Sequence, residues 1–212
     1  MDSCCETKVE ELSTLRGQHE TVLIIVLLIN AALFVVEAAA GLLGNSTALL
    51  ADSLDMLGDS LIYAFSLYVL SRSAAWKAKA ALLKGAVMAV FGVGVLLEVI
   101  YKTISGILPS AETMGIIGTL VLLGNGICFV LLYRHRSDDL NMRSTWLCSR
   151  NDIIANAGVL IAAFGVYVTQ SVWPDVLIGG AIAVLFLKSA IAVLTESFIE
   201  FKRSKPIPSC SI

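Results

Sequence analysis

The chain has 212 residues, of which 57% are hydrophobic and 15% charged, with a formal net charge of −2. Soluble domains run nearer a quarter charged, so long apolar runs set the class. The near-neutral balance excludes a nucleic-acid binder, which would show a basic face, and the sequence offers no Gly-rich phosphate loop and no Ser/His/Asp order.

Residues 1–20, MDSCCETKVEELSTLRGQHE, lack the basic start and apolar run of a signal peptide. They read as a cytoplasmic tail. The five cysteines are Cys4, Cys5, Cys128, Cys148 and Cys210. That odd, scattered set is no disulfide framework. The vicinal Cys4 and Cys5 are either inert or a capture point for a soft metal. Cys128, inside an apolar run, reads first as a small core residue.

Six segments are long enough to cross a bilayer, near 21–43, 46–70, 80–101, 112–133, 145–169 and 173–198. The expected architecture is therefore all-α: a polytopic membrane protein with six transmembrane helices. The transport domain spans 21–198 and a short cytoplasmic tail covers 199–212. Lys8, Arg16, Arg72, Lys77, Lys79, Arg134, Arg136, Arg143, Lys202, Arg203 and Lys205 fall on one side, and only Lys102 on the other. The positive-inside rule then puts both termini in the cytoplasm, in a cell (inner) membrane. Asn30-x-x-x-Phe-Val and Asn125-x-x-x-Phe-Val lie 95 residues apart, in helices of opposite direction. That pattern suits an inverted 3+3 repeat, and equally a coincidence between two apolar helices.

The second segment carries Asp52, Asp55 and Asp59. Asp55 and Asp59 are four apart and share a helical face. Counted from Ser46 they lie roughly 13 and 20 Å along the helix, in the hydrocarbon. Bare anions there cost several kcal/mol each, so they must hold protons or a cation. Asp52, three residues before Asp55 and nearer the outer end, is expected at a mouth or gate. The fifth segment supplies Cys148, Asp152 and Asn156, again four apart. Two antiparallel helices can thus gather Asp55, Asp59 and Asp152 with a thiol or an amide oxygen, a four-ligand pocket for a divalent metal. The bland alternative is an ion-pair network with Lys84, Arg150 or Lys188. An intramembrane metalloenzyme would want histidine ligands, yet His19 and His135 lie outside the spans. A membrane metal sensor without transport is a further rival.

GNSTALLADSLDMLGDSL (44–61) followed by LNMRSTWLCSRNDIIANAGVL (140–160) resembles the cation diffusion facilitators. The resemblance implies a six-helix secondary transporter, not an enzyme, that exchanges cytosolic divalent metal for protons. It implies no cofactor beyond the transported ion, and a homodimer in the lipid bilayer. In that family helix 2 carries Asp or His, three residues, then Asp, matched by Asp55-x-x-x-Asp59. Helix 5 carries His or Asp, three residues, then Asp, matched by Cys148-x-x-x-Asp152. The chain departs from the pattern in three ways. It ends 14 residues past Phe198, where most relatives continue into a soluble domain. The loop around His135 is not His-rich. Cys148 stands at the usual helix-5 ligand. A thiolate there favours Zn²⁺ or Cd²⁺, whereas an Asn156 oxygen favours Fe²⁺, Co²⁺ or Mn²⁺.

Overall fold

The structure, a computed structural model, describes residues 3–69, 74–133 and 140–203. Some side chains within those helices lie outside the described residues, among them Cys4, Cys5, His19, Lys84, Cys148 and Glu196. The fold is all-helical among the described residues. It comprises α1 (Ser3–Leu43), α2 (Thr47–Val69), α3 (Ala74–Ser105), α4 (Ala111–Tyr133), α5 (Leu140–Thr169) and α6 (Trp173–Arg203). The expected helices all form, and most ends fall within a few residues of expectation. The largest difference is at α1, whose helix runs back to Ser3 through the segment read as a tail. Its Glu, Leu and Lys residues are strong helix formers, and an established helix extends at little cost.

Among the described residues, five helices contain a stretch long and apolar enough to cross a membrane: Ile24–Leu43, Gly85–Ser105, Ala111–Tyr133, Asp152–Thr169 and Trp173–Thr195. Their outward residues are apolar. Leu28, Val35, Leu97, Ile116, Leu123, Phe164 and Leu185 are all exposed, the reverse of a water-facing surface. The chain is a multi-pass membrane protein.

α2 is the exception. At 23 residues it is about 34 Å long, but its aspartates make it too polar to face lipid. The fold answers by enclosing it: α2 packs against α1, α3, α5 and α6. Ala48, Leu49, Ala51 and Leu54 of α2 join Met88 and Val95 of α3, Val159 and Ala162 of α5, and Ile182, Ala183 and Phe186 of α6 in one buried cluster. The α3–α6 pairing is the most extensive in the bundle. At Gly85 of α3 a Cβ would come within 2.8 Å of Leu194 on α6, so small residues there serve packing within the chain.

One polar knot fixes where α2 begins. Ser46 caps its own helix, with its Oγ accepting from the Leu49 N–H at 3.1 Å. Asp175, in the first turn of α6, caps the same terminus from outside. Its carboxylate accepts from Ser46 Oγ–H at 2.6 Å, Thr47 Oγ1–H at 2.7 Å, Thr47 N–H at 2.8 Å and Ala48 N–H at 3.0 Å. A helix N-terminus offers unpaired N–H groups and a positive dipole end, so a carboxylate is well placed there. The approach is close because Gly179 lies one turn along α6. A Cβ at that position would sit 2.6 Å from the Thr47 backbone.

Lys102, at the end of α3, completes the knot. It is buried, donates to the Asn45 carbonyl in the α1–α2 turn, and lies 4.0 Å from Glu98. Its charge also meets that of Asp175. Asn45 itself takes a left-handed backbone, φ 53°, a conformation asparagine tolerates well. Ser110 N–H donates to the Gly44 carbonyl at 2.8 Å, which ties the start of α4 to the same turn. Lys102 is thus an internal cation, not one that meets lipid headgroups.

Asp175→Ala strands the Ser46 hydroxyl and two backbone N–H groups and leaves Thr47 Oγ1 only its longer bond to the residue 175 carbonyl, each orphan costing about 1–3 kcal/mol when buried. The purified variant should melt well below wild type by circular dichroism, with Asp175→Asn in between. A wild-type melting temperature for Asp175→Ala would show that the knot does not hold α2.

Candidate metal-translocation site

The interior of the bundle is acidic. Asp52, Asp59 and Asp152 are buried and Asp55 is half-buried. The three α2 carboxylates recur at intervals of three and four residues, so one stripe of the helix carries them inward. α5 carries Asp152 to meet that stripe. The charges of Asp59, Asp55 and Asp52 all reach Asp152, that of Asp59 most strongly. Asp52 and Asp59 act on Asp55 in the same way. Arg150 and Lys188 are exposed, so neither neutralises this cluster from within, and the Lys84 side chain lies outside the described residues.

A metal coordination shell is not assembled. Among the described residues, no three His, Cys, Asp or Glu side chains converge closely enough to hold an ion. The Cys148 side chain is outside the described residues. Its backbone lies in α5 one turn before Asp152.

Asn156 has a definite place. Its Nδ2 donates to Asp52 Oδ2 at 2.8 Å, and its Oδ1 accepts from Asn125 Nδ2 at 3.2 Å. α4, α5 and α2 are thereby linked through one buried chain of side chains. Asp52 therefore does not stand at a mouth. It is fully buried, because α1 and α5 close over it. The reading from helical depth alone could not include that cover.

Glu37, which sequence reasoning left aside, also faces inward, as do Asn30 and Cys128. Glu37 of α1 is fully buried and lies against Asp52. Its signal was in the sequence, as the only carboxylate in the apolar stretch Ile24–Leu43. Asn30, one of the two repeat asparagines, is buried, donates to the Val26 carbonyl at 2.9 Å and contacts Cys128 Sγ at 3.9 Å. Cys128 packs with Val26 and Leu132, yet the charges of Asp152 and Asp59 reach it as well. It is a core residue at the edge of the acidic cluster.

The comparisons with known proteins follow this geometry. A family model described as the cation efflux transmembrane domain matches residues 23–200. Over 117 residues the chain is 28% identical to a zinc transporter, ZitB, of Yersinia pestis. It is 27% identical over 117 residues to ZitB of Yersinia pseudotuberculosis serotype I. Each match covers 53% of this chain and 38% of the relative, so the chain spans well under half the length of those proteins. The family match runs from α1 to the end of α6 and includes both acid-bearing helices; the chain belongs to the cation efflux, or cation diffusion facilitator, family.

Proposed function

We propose that the protein is a secondary active transporter that exports divalent metal from the cytosol in exchange for protons. The observation that carries this reading is the carboxylate cluster enclosed between α2 and α5, with no described internal cation beside it. Carboxylates in such a setting demand a cation or protons, and a site that accepts either can exchange them. Family membership supports efflux. The names of the relatives support zinc.

In this reading α2 is the sixth span, the termini are cytoplasmic, residues 21–198 form the transport domain, and two copies associate in a cell membrane. The two helix triplets are inverted repeats, with the site near mid-membrane between them. Asp55, Asp59 and Asp152 are the carboxylate ligands and Cys148 completes a tetrahedral set suited to Zn²⁺ or Cd²⁺. Asn156 is assigned to support instead, because both ends of its amide are engaged by Asn125 and Asp52. The three aspartates are drawn together by the ion itself, as expected of a site formed on binding. Facing the cytosol, the site releases protons and takes the metal. Rocking of helix groups exposes it outward, where protons displace the ion.

Asp55→Ala, Asp59→Ala and Asp152→Ala should each reduce Zn²⁺ uptake by proteoliposomes to the protein-free background while the protein still inserts. Wild-type uptake by Asp152→Ala would remove α5 from the site. The pH dependence has a definite sign. Protons and metal compete for the same oxygens, so apparent Zn²⁺ affinity should weaken as pH falls, by up to roughly tenfold per pH unit for each proton displaced. Calorimetry from pH 8 to 6 measures it, and affinity independent of pH would contradict competition. Cys148→Ser removes the soft ligand and should move the preference from Cd²⁺ toward Zn²⁺, Co²⁺ or Mn²⁺. An unchanged ranking in competition assays would strike Cys148 from the ligand set.

A further inference from the structure

The acidic interior holds a second arrangement that the metal site does not use. Glu37 is 0% exposed, and neither of its carboxylate oxygens meets a hydrogen-bond donor. Asp52 is also 0% exposed. Its Oδ2 accepts from Asn156, and its Oδ1 meets no donor. The two carboxyl groups lie against each other across the α1–α2 contact.

Two carboxylates have only acceptors to offer one another, so a bond between them needs a proton on one side. Two bare anions in contact in a lipid-enclosed core are not sustainable. Among the described residues, the surroundings supply no alternative. The charges that reach Glu37 are those of Asp52 and Asp55. From α4, which also packs on α1, the buried residues are Met114, Gly118, Val121, Asn125, Cys128 and Leu132, none of them charged. α5 presents Asn156 to Asp52, with Asp152 in electrostatic reach. On α3 and α6, Lys102 and Asp175 are committed to the knot at the start of α2. A metal ion between the pair would want a third ligand, and among the described residues no group of three His, Cys, Asp or Glu is placed to hold one.

We propose that Glu37 and Asp52 form a proton-binding site, one proton held between two carboxyl groups, that empties when metal occupies the neighbouring site and refills when the metal leaves. The link is short. Asp52 and Asp55 are three apart on α2 and so share a face, and the Asp52 charge reaches both Asp55 and Asp152. A dication on those residues favours the ionised form of Asp52. The proton then leaves Glu37–Asp52 to water, and the pair goes from one negative charge to two, balanced by the neighbouring dication. Asn156 holds Asp52 in place throughout, and Asn125 holds Asn156. The exchange half of this proposal rests on the metal-transport reading. The shared proton does not.

The test is infrared spectroscopy of the full chain in lipid nanodiscs, with and without Zn²⁺, alongside a count of protons released per Zn²⁺ bound. Metal-free wild type should show, beside any band from the metal-site aspartates, a protonated-carboxyl C=O stretch that is assigned to the pair by its loss in Glu37→Gln, and Zn²⁺ should abolish that band. Glu37→Gln places an amide donor opposite Asp52 Oδ1, the donor the pair lacks, so the variant should fold. It should lack the band and release roughly one proton fewer per ion. Asp52→Asn, the second variant, should also lack the band. The same band in wild type and both variants would overturn the proton site. A band that belongs to the pair but ignores bound Zn²⁺ would overturn the exchange. Should wild type carry the band and yet move no Zn²⁺ in liposomes, the transport reading fails and the proton site stands.

Discussion

A carboxylate cannot be left bare inside a lipid-enclosed bundle. The cost of an unpaired ionised group in hydrocarbon runs to several kcal/mol even after relaxation. Every distinctive feature of this molecule answers that constraint. α2 carries three aspartates and is packed against four other helices, so its polar stripe faces protein on every side. α5 brings a fourth carboxyl, α1 a fifth, and the described lysine and arginine side chains of the core-forming helices are either exposed or spent at the start of α2. The interior is left short of positive charge. That deficit is what the proposed exchange of metal for protons rests on.

The same helix must also be held at a defined depth, since a slip of one residue would turn its carboxylates by about 100° around the axis. The Asp175 cap does this at the N-terminal end of α2. Ser46, Thr47 and Ala48 are fixed by α6, and Lys102 of α3 holds the turn before them. Helices α2, α3 and α6 therefore share an anchor at that end of the bundle. The acidic cluster lies further along α2, where the Asn156–Asp52 hydrogen bond joins α5 to α2 and the charge of Asp152 meets those of the α2 aspartates. A rigid end beside an electrostatically loaded middle is a sound basis for a site that changes its contents.

The helical frame was legible because it rests on apolar run length, the strongest signal a membrane sequence carries. The stripe of Asp52, Asp55 and Asp59 on α2, with Asp152 of α5 in electrostatic reach, was legible because helical spacing fixes which residues share a face. What helical spacing cannot give is who lies across an interface. Asp52 looked like a mouth residue by its depth, but α1 and α5 cover it. Glu37 and Asp175 went unread because each is a single acid in its apolar stretch, Ile24–Leu43 or Trp173–Thr195, and their partners are 15 and more than 120 residues away. Lys102 read as a cation near a helix end, though its stem and ammonium both turn inward. Asn125 was noticed only as half of a repeat, and its part in the chain through Asn156 needed α4 and α5 placed side by side.

The most direct test of the account is to record metal and proton movement together. Purified protein in liposomes, with a Zn²⁺ indicator and a pH indicator both trapped in the lumen, should show Zn²⁺ entering as the lumen turns alkaline. Uptake should accelerate when the lumen starts more acidic than the bath. Zn²⁺ entry with no movement of protons at any starting pH would contradict the claim that the buried carboxyl groups exchange one for the other.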